Sequence, residues 1–236
     1  LCAKMQSQGV RPIIFSYHPD LEERLEEIVG HLQPIDFDRL GFNPLEIFDH
    51  TNPKAYLDVA GAVRDIFCAI FPEIGDLQAQ HIRKAIVDSF EEQGWDWRNP
   101  QPNRAIPSFH RFVELLRRER QPNRELKNLL GRLKELEDYG FFDVGDHPLR
   151  LWECKVPIVI RLHRTQNEVL QRAFAMMIFY HLYKEMFRRG IQDSITHVLV
   201  FDEAHRAAKL TLLPTMAKEC RKYGISLVVA SQEARD

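Results

Sequence analysis

The chain has 236 residues, 44% of them hydrophobic and 28% charged, which fits one large α/β domain or a domain with a substantial insertion. Its formal net charge of -2 excludes a global basic field that attracts nucleic acid, so any DNA contact must come from local patches. No apolar run approaches the ~18 residues of a membrane span, and four scattered cysteines without CxxC spacing favour free thiols in a reducing compartment. We therefore expect a cytoplasmic protein.

The first part of the chain predicts the beginning of a buried parallel sheet. It opens on Leu1 in a helical pattern, and we expect it to be a fragment of a longer protein. Residues 12–15 form a short apolar run typical of a buried strand, and residues 34–37 form a weaker one. Residues 1–52 are thus predicted to be the first part of an α/β core.

Residues 53–143 have a helical periodicity instead. Apolar side chains recur at helical spacing, for example at Leu57, Ala60, Val63, Phe67 and Ile70. We expect an all-helical insertion in the α/β core, with a polar, turn-rich loop at residues 94–107. That loop carries Trp95 and Trp97 beside basic residues. They either stack on DNA or pack within the insertion, and packing is favoured.

Strands and helices alternate in residues 144–236, which are predicted to be the second part of the core. Apolar runs at residues 156–162, 197–201 and 225–230 predict strands. Helices are expected at residues 167–189 and 211–223. Such alternation is typical of a mostly parallel sheet with helices on both faces.

Two adjacent carboxylates, Asp202 and Glu203, follow the apolar run of residues 197–201. Ligands of open parallel sheets bind outside the carboxyl ends of the strands. In a nucleotide hydrolase, Asp202 would hold Mg²⁺ through its water shell and Glu203 would orient the attacking water. The structural alternative is that Asp202 caps the next helix and Glu203 faces solvent.

A further polar residue, Gln232, follows the last predicted strand. Gly224 marks the end of the preceding helix, and an adjacent parallel strand would bring Gln232 beside Glu203 at the same sheet edge. Because its amide both donates and accepts, Gln232 would then bridge the γ-phosphate and the attacking water. Otherwise it is a polar loop residue.

The segments VLVFDEAH and ECRKYGISLVVASQ resemble the Walker B segment and the following strand of HerA/FtsK-type P-loop ATPases. The resemblance extends to RPIIFSYHPD, GFNPLEI and VPIVIRLHRTQNEVLQRAFAMMIFYHLYKEMF, and so covers nearly the whole chain. It implies a RecA-like core that binds ATP and Mg²⁺ and forms a homo-oligomer, a hexameric ring, with ATP sites between subunits. It also implies that Arg221 neutralises charge on the neighbouring subunit's nucleotide, although Arg221 alone is equally a surface residue at a helix end.

The chain departs from the family pattern in three places. The family often has an acidic residue where this chain has Ser16-Tyr17-His18, and Asp-Leu-Ser-like residues where it has Arg161-Leu162-His163. Loop histidines such as His18 more often have no catalytic role. The sequence contains no phosphate-binding loop ending in Gly-Lys-Ser/Thr, since no lysine directly follows a glycine. We expect that loop immediately before Leu1, and this fragment alone should not hydrolyse ATP.

These features favour an ATP-hydrolysing motor subunit of a ring-forming double-stranded DNA translocase or helicase, coupled to a nuclease or other effector partner. The alternative is a conjugation- or secretion-type ATPase that moves protein or DNA–protein cargo. An RNA helicase is disfavoured, because Ala230-Ser231-Gln232 stands where such helicases have Ser-Ala-Thr. A non-hydrolysing structural subunit is supported only by the missing loop.

Overall fold

The computed structural model describes residues 2–36, 40–101, 104–118, 122–143, 150–203 and 212–230. The chain divides into two compact units. The sheet unit comprises Leu1–Phe37 and Leu149–Asp236, and the helical unit comprises Asp38–Pro148. The domain boundaries drawn at residues 52/53 and 143/144 rest on sequence periodicity, and the assignment of an inserted domain stays a prediction.

The described part of the sheet unit contains a five-stranded sheet in which every pairing is parallel. The strands are β1 Arg11–Ser16, β2 Gln33–Ile35, β3 Ile158–Arg161, β4 His197–Phe201 and β5 Ile225–Val229. Their order across the sheet is β2-β3-β1-β4-β5. Strand β4 has the predicted limits. Strand β3 is shorter than predicted, because the chain turns into a 3-10 helix at Leu162–Arg164.

Eight α-helices are present in the described residues, four in each unit. In chain order they are α1 Cys2–Ser7, α2 Pro19–Val29, α3 Ala55–Ile70, α4 Asp76–Glu91, α5 Arg111–Arg117, α6 Arg124–Asp138, α7 Glu168–Arg189 and α8 Leu213–Glu219. None of the helices in this part of the chain combines the length and apolar character needed to cross a membrane.

Helices cover both faces of the sheet, as the sequence predicts. Successive residues of a strand point to opposite faces. On one face, Ile14 packs with Leu25 of α2. On the other, the rings of Phe15 and Phe201 stack with centroids 4.6 Å apart, and Phe179 of α7 meets Phe201 edge-on at 5.7 Å. The sheet unit is therefore a doubly wound α/β structure.

Aromatic side chains form the core of the helical unit. Phe67 of α3 packs against Phe112 of α5 and against Phe142, with ring centroids 5.6 and 6.2 Å apart. Phe109 contacts the same rings. All four rings are buried, and aromatic pairs at such distances contribute roughly 0.5–1.5 kcal/mol beyond the area they bury. The unit therefore has a hydrophobic core of its own.

The two tryptophans of the predicted loop have different environments. Trp95 is fully buried and donates from Nε1 to the Ala105 carbonyl oxygen at 2.8 Å. Trp97 is 41% exposed, with Lys54 Nζ 4.7 Å and Arg98 Cζ 5.0 Å from its ring centroid. The packing prediction is confirmed for Trp95 and wrong for Trp97, which lies at the surface between two cations.

Candidate functional site

The chain changes direction between the neighbouring strands β1 and β4. From β1 it continues through α2 to β2 on one side of the sheet, and from β4 it continues to β5 on the other side. Crossovers between parallel strands are right-handed, so connections in opposite directions leave a crevice between the strands from which they start. Ligands of open α/β sheets bind in this crevice, so the residues that follow β1 and β4 are the candidates for a functional site.

The predicted acid pair lies at the crevice. Asp202 and Glu203 directly follow β4, and both line an open cavity of about 520 Å³. Its other described lining residues come from the turn after β1 and from α2, and they are His18, Asp20, Leu21 and Arg24. This volume is typical of small-ligand sites. Since Leu21 is the one apolar side chain among these lining residues, the cavity suits a charged or polar ligand.

His18 contacts the acid pair directly. Its Nε2 lies 2.5 Å from Glu203 Oε1. The contact follows from the pairing of β1 with β4, in which Phe15 lies opposite Phe201, so residues after both strands meet at one edge. The buried Ser16 hydroxyl donates to the His18 carbonyl oxygen at 2.8 Å and holds this turn. Nothing in the local sequence indicates this contact, because the two residues are 185 positions apart.

Gln232, the predicted partner of Glu203, lies outside the described residues. Strand β5 nevertheless pairs in parallel with β4, and Phe201 lies opposite Val229. The Ala230 amide donates to the Phe201 carbonyl oxygen at 2.9 Å, so the hydrogen bonds between β4 and β5 continue to the carboxyl end of β4, which Asp202 and Glu203 follow. That Gln232 lies beside Glu203 stays a prediction.

Arg221 is not brought together with the acid pair within the chain. It lies in the 3-10 helix Cys220–Tyr223, which precedes β5, and its side chain is exposed. Asp202 and Glu203 follow the neighbouring strand β4, at the carboxyl ends of the strands, whereas Arg221 lies at their amino ends. A strand of five residues separates the two ends by roughly 16 Å. The assigned role of Arg221 therefore requires a second subunit.

Arg161 ends β3 at the same edge as the cavity but is neutralised by acidic side chains. Its Nε donates to both carboxylate oxygens of Glu22, at 2.9 and 2.8 Å, and its Nη1 lies 3.4 Å from Asp36 Oδ2. Hydrogen bonding to Glu22 raises the pKa of Arg161 above its ordinary value, so the guanidinium stays charged. It ties α2 to β3. His163 is not among the described residues that line the cavity.

The donor set at the cavity fits Mg²⁺ bound through waters. No group of three or more metal-ligating side chains occurs in the described ranges. Mg²⁺ does not need one, because it keeps several waters and is commonly bound through one or two carboxylates and substrate phosphates. Asp202 on the cavity wall would supply such a carboxylate.

The sheet unit belongs to the class of open, doubly wound α/β structures with a polar cavity at the crevice. No protein-family model and no curated protein sequence matches the chain. Among solved structures, that of VirB4 of Thermoanaerobacter pseudethanolicus is similar, with a TM-score of 0.71 and 22% sequence identity. The chain has the RecA-like α/β fold of that structure.

The similarity to VirB4 covers 95% of this chain and 63% of that one, so this chain spans less than two-thirds of the VirB4 length. The bacterial conjugative coupling protein TrwBdeltaN70 aligns with a TM-score of 0.44 and 13% identity, over 94% of this chain and 62% of that one. The TrwBdeltaN70 similarity is too low to carry an argument, and the fold assignment rests on the likeness to VirB4.

Proposed function

We propose that this chain is the ATP-hydrolysing core of a motor subunit of the HerA/FtsK type. The observation that carries the proposal is the position of Asp202 and Glu203 at the crevice between β1 and β4, on the wall of a polar cavity. Parallel sheets bind ligands at this edge, and two carboxylates there meet the needs of phosphoryl transfer to water. The RecA-like fold supports the same interpretation.

In the proposed reaction, water attacks the γ-phosphorus of ATP, the bond to the β,γ-bridging oxygen breaks, and ADP leaves. Glu203 would orient the water and accept its proton. Gln232 would bridge the water and the γ-phosphate through its amide. Asp202 would hold Mg²⁺, which when bound neutralises charge on the phosphates.

Arg221 would act on the nucleotide of a neighbouring subunit. Its exposed position at the amino-terminal end of β5 keeps it away from its own chain's acid pair. In a head-to-tail homo-oligomer, such as the proposed hexameric ring, this edge of one subunit can face the cavity of the next. A guanidinium there stabilises the charge of the transition state, which in other nucleotide hydrolases raises the rate by about 10³–10⁵-fold.

For the cargo, we favour a conjugation- or secretion-type motor that moves protein or DNA–protein complexes. The likeness to VirB4 extends over 95% of the chain, so the helical unit is included in it. A double-stranded DNA translocase coupled to a nuclease or other effector is the second candidate. The net charge of -2 and the burial of Trp95 count against that candidate, whereas the exposed ring of Trp97 between Lys54 and Arg98 is a local surface that favours it.

Replacing Glu203 by Gln in the full-length protein tests the catalytic assignment. We expect ATP turnover to fall by about a hundredfold or more, because an amide cannot accept the proton of the attacking water. ATP binding should persist, measured with a fluorescent ATP analogue beside a phosphate-release assay. Glu27→Gln changes an exposed position of α2 and should keep wild-type turnover. Normal turnover by the Glu203→Gln protein would refute the assignment.

The response of turnover to DNA separates the two cargoes. A double-stranded DNA translocase should hydrolyse ATP faster when linear duplex DNA is added, and this stimulation should weaken steeply with salt. A motor that moves protein or a DNA–protein complex should show no such response to free duplex DNA. Stimulation by duplex DNA would favour the second candidate over the one proposed here.

A further inference from the structure

We propose that His18 is a positioning residue that restrains the Glu203 carboxylate until an anionic ligand enters the cavity. This inference rests on the proposed function of Glu203 as the residue that orients the attacking water. It assigns a role to one of the three residues, Ser16-Tyr17-His18, that stand where the resemblance implies an acidic residue.

The His18 side chain contacts Glu203 and does not cap its own helix. His18 occupies the N-cap position of α2, with an extended backbone at φ -129° and ψ 136°, yet its side chain makes no capping hydrogen bond. Its Nε2 instead lies 2.5 Å from Glu203 Oε1, and because a carboxylate accepts, the imidazole donates. The bond from the Ser16 hydroxyl to the His18 carbonyl oxygen holds the backbone from which the ring projects.

The imidazole is the partner that can move. The His18 side chain is 49% exposed, whereas that of Glu203 is 16% exposed. The charged side chains that share the cavity wall are Asp20 and Arg24 of α2 and Asp202 after β4. Among these described groups, His18 and Arg24 are the donors available to an entering anion. A phosphate group, which like the Glu203 carboxylate is a charged acceptor, therefore competes with Glu203 for the imidazole N–H.

An exchange of partners would couple ligand entry to catalysis. While His18 donates to Glu203, the carboxylate is held toward the imidazole and part of its negative charge is neutralised, so Glu203 orients an attacking water and accepts its proton less well. When the imidazole turns to a phosphate group, this restraint on Oε1 ends. Because the phosphate and Glu203 are both charged acceptors, the exchange is incomplete even with ATP bound, and the contact lowers kcat through the molecules in which it persists.

Steady-state kinetics of the full-length protein test the restraint. For His18→Ala we expect kcat for ATP to rise about fivefold, because one hydrogen bond to a charged group no longer holds Glu203. The KM should change less than about twofold, since the lost restraint and the lost bond to phosphate offset each other. His18→Gln, whose amide reaches a similar point and can donate, should keep kcat close to that of the wild type. His31→Ala, at an exposed position after α2, should change nothing.

An unchanged or lower kcat for His18→Ala, or an equal gain for His18→Gln, would overturn the inference. Failure of the proposed function is distinct, because then the wild-type protein itself hydrolyses no ATP. In that case ¹⁵N NMR of the imidazole still tests the contact. Replacing Glu203 by Ala must shift the Nε2 resonance of His18, and an unshifted resonance would contradict the restraint.

Discussion

His197, the first residue of β4, is a buried histidine beside a threonine hydroxyl. The Thr196 hydroxyl donates to the Gly224 carbonyl oxygen at 3.2 Å and accepts from Arg189 Nη2 at 2.9 Å. His197 Nδ1 lies 2.9 Å from the same hydroxyl oxygen. Burial, followed by the charges of Arg189 and Arg11, lowers the pKa of His197 to about 3.

The lowered pKa of His197 predicts a loss of stability in mild acid. Between its ordinary pKa of 6.5 and the folded value of about 3, the unfolded chain binds a proton that the folded chain does not. The free energy of unfolding should therefore fall by about 1 kcal/mol between pH 7.5 and pH 5.5 through this residue alone. Urea unfolding of the wild type and of His197→Gln at pH 7.5 and at pH 5.5 measures this change in the free energy of unfolding. Parallel pH profiles of the two proteins would contradict the prediction.

The residues of the candidate site differ in how far the sequence predicts them. Asp202 and Glu203 are recognisable because two acids follow an apolar run of strand length, and the structure places both on the cavity wall. His18 follows a strand of the same kind, but its position depends on which strand lies beside β1. That neighbour is β4, which is far away in the sequence, and no local pattern encodes such a pairing.

At the scale of elements, the turn that joins α8 to β5 depends on a glycine. Gly224 has φ 70°, in the left-handed region, and its carbonyl oxygen accepts from the amide of Thr196 at 2.7 Å. A Cβ at this position would lie 2.6 Å from the Ser194 carbonyl oxygen and 2.8 Å from Gln192 Cβ. Both the backbone conformation and the close approach of a second segment therefore exclude larger residues.

Replacing Gly224 by Ala should destabilise the sheet unit by about 2–3 kcal/mol, because the left-handed conformation and the contact with backbone both carry a cost. Chemical denaturation measures this difference. The matched control is Gly131→Ala in α6, where a Cβ meets nothing within 4 Å. That change should stabilise by about 0.5–1 kcal/mol, since alanine favours a helix interior. Equal stability of the two variants would show that the Gly224 turn is not constrained.

The elements themselves follow closely from periodicity. Parallel strands covered on both faces appear as unbroken apolar runs, which is why β4 has the predicted limits and β1 and β5 differ from theirs by about one residue. Helix α7 begins at Glu168 because the Asn167 side chain accepts from the amides of Val169 and Leu170. Residues 40–52 lack periodicity, and tertiary contacts such as that of Asn43 Nδ2 with the Pro107 carbonyl oxygen place them in the helical unit.

At the scale of the whole molecule, the two halves of the proposed site lie at opposite ends of two neighbouring strands. The acid pair follows β4, whereas Arg221 precedes β5. A single chain cannot bring them together without unfolding the sheet. If the chain hydrolyses ATP as proposed, each complete site must combine Glu203 of one subunit with Arg221 from another.

This arrangement predicts that two inactive variants restore each other's activity. Glu203→Gln and Arg221→Ala proteins should each be impaired alone, because every site lacks one group. After dissociation and joint reassembly at equal amounts, about a quarter of the interfaces in a head-to-tail ring pair an intact Glu203 with an intact Arg221. We expect turnover per subunit to recover to about that fraction, measured by phosphate release. Mixing without dissociation is the control, and absence of recovery in a ring that reassembles normally would exclude a role for Arg221 across the interface.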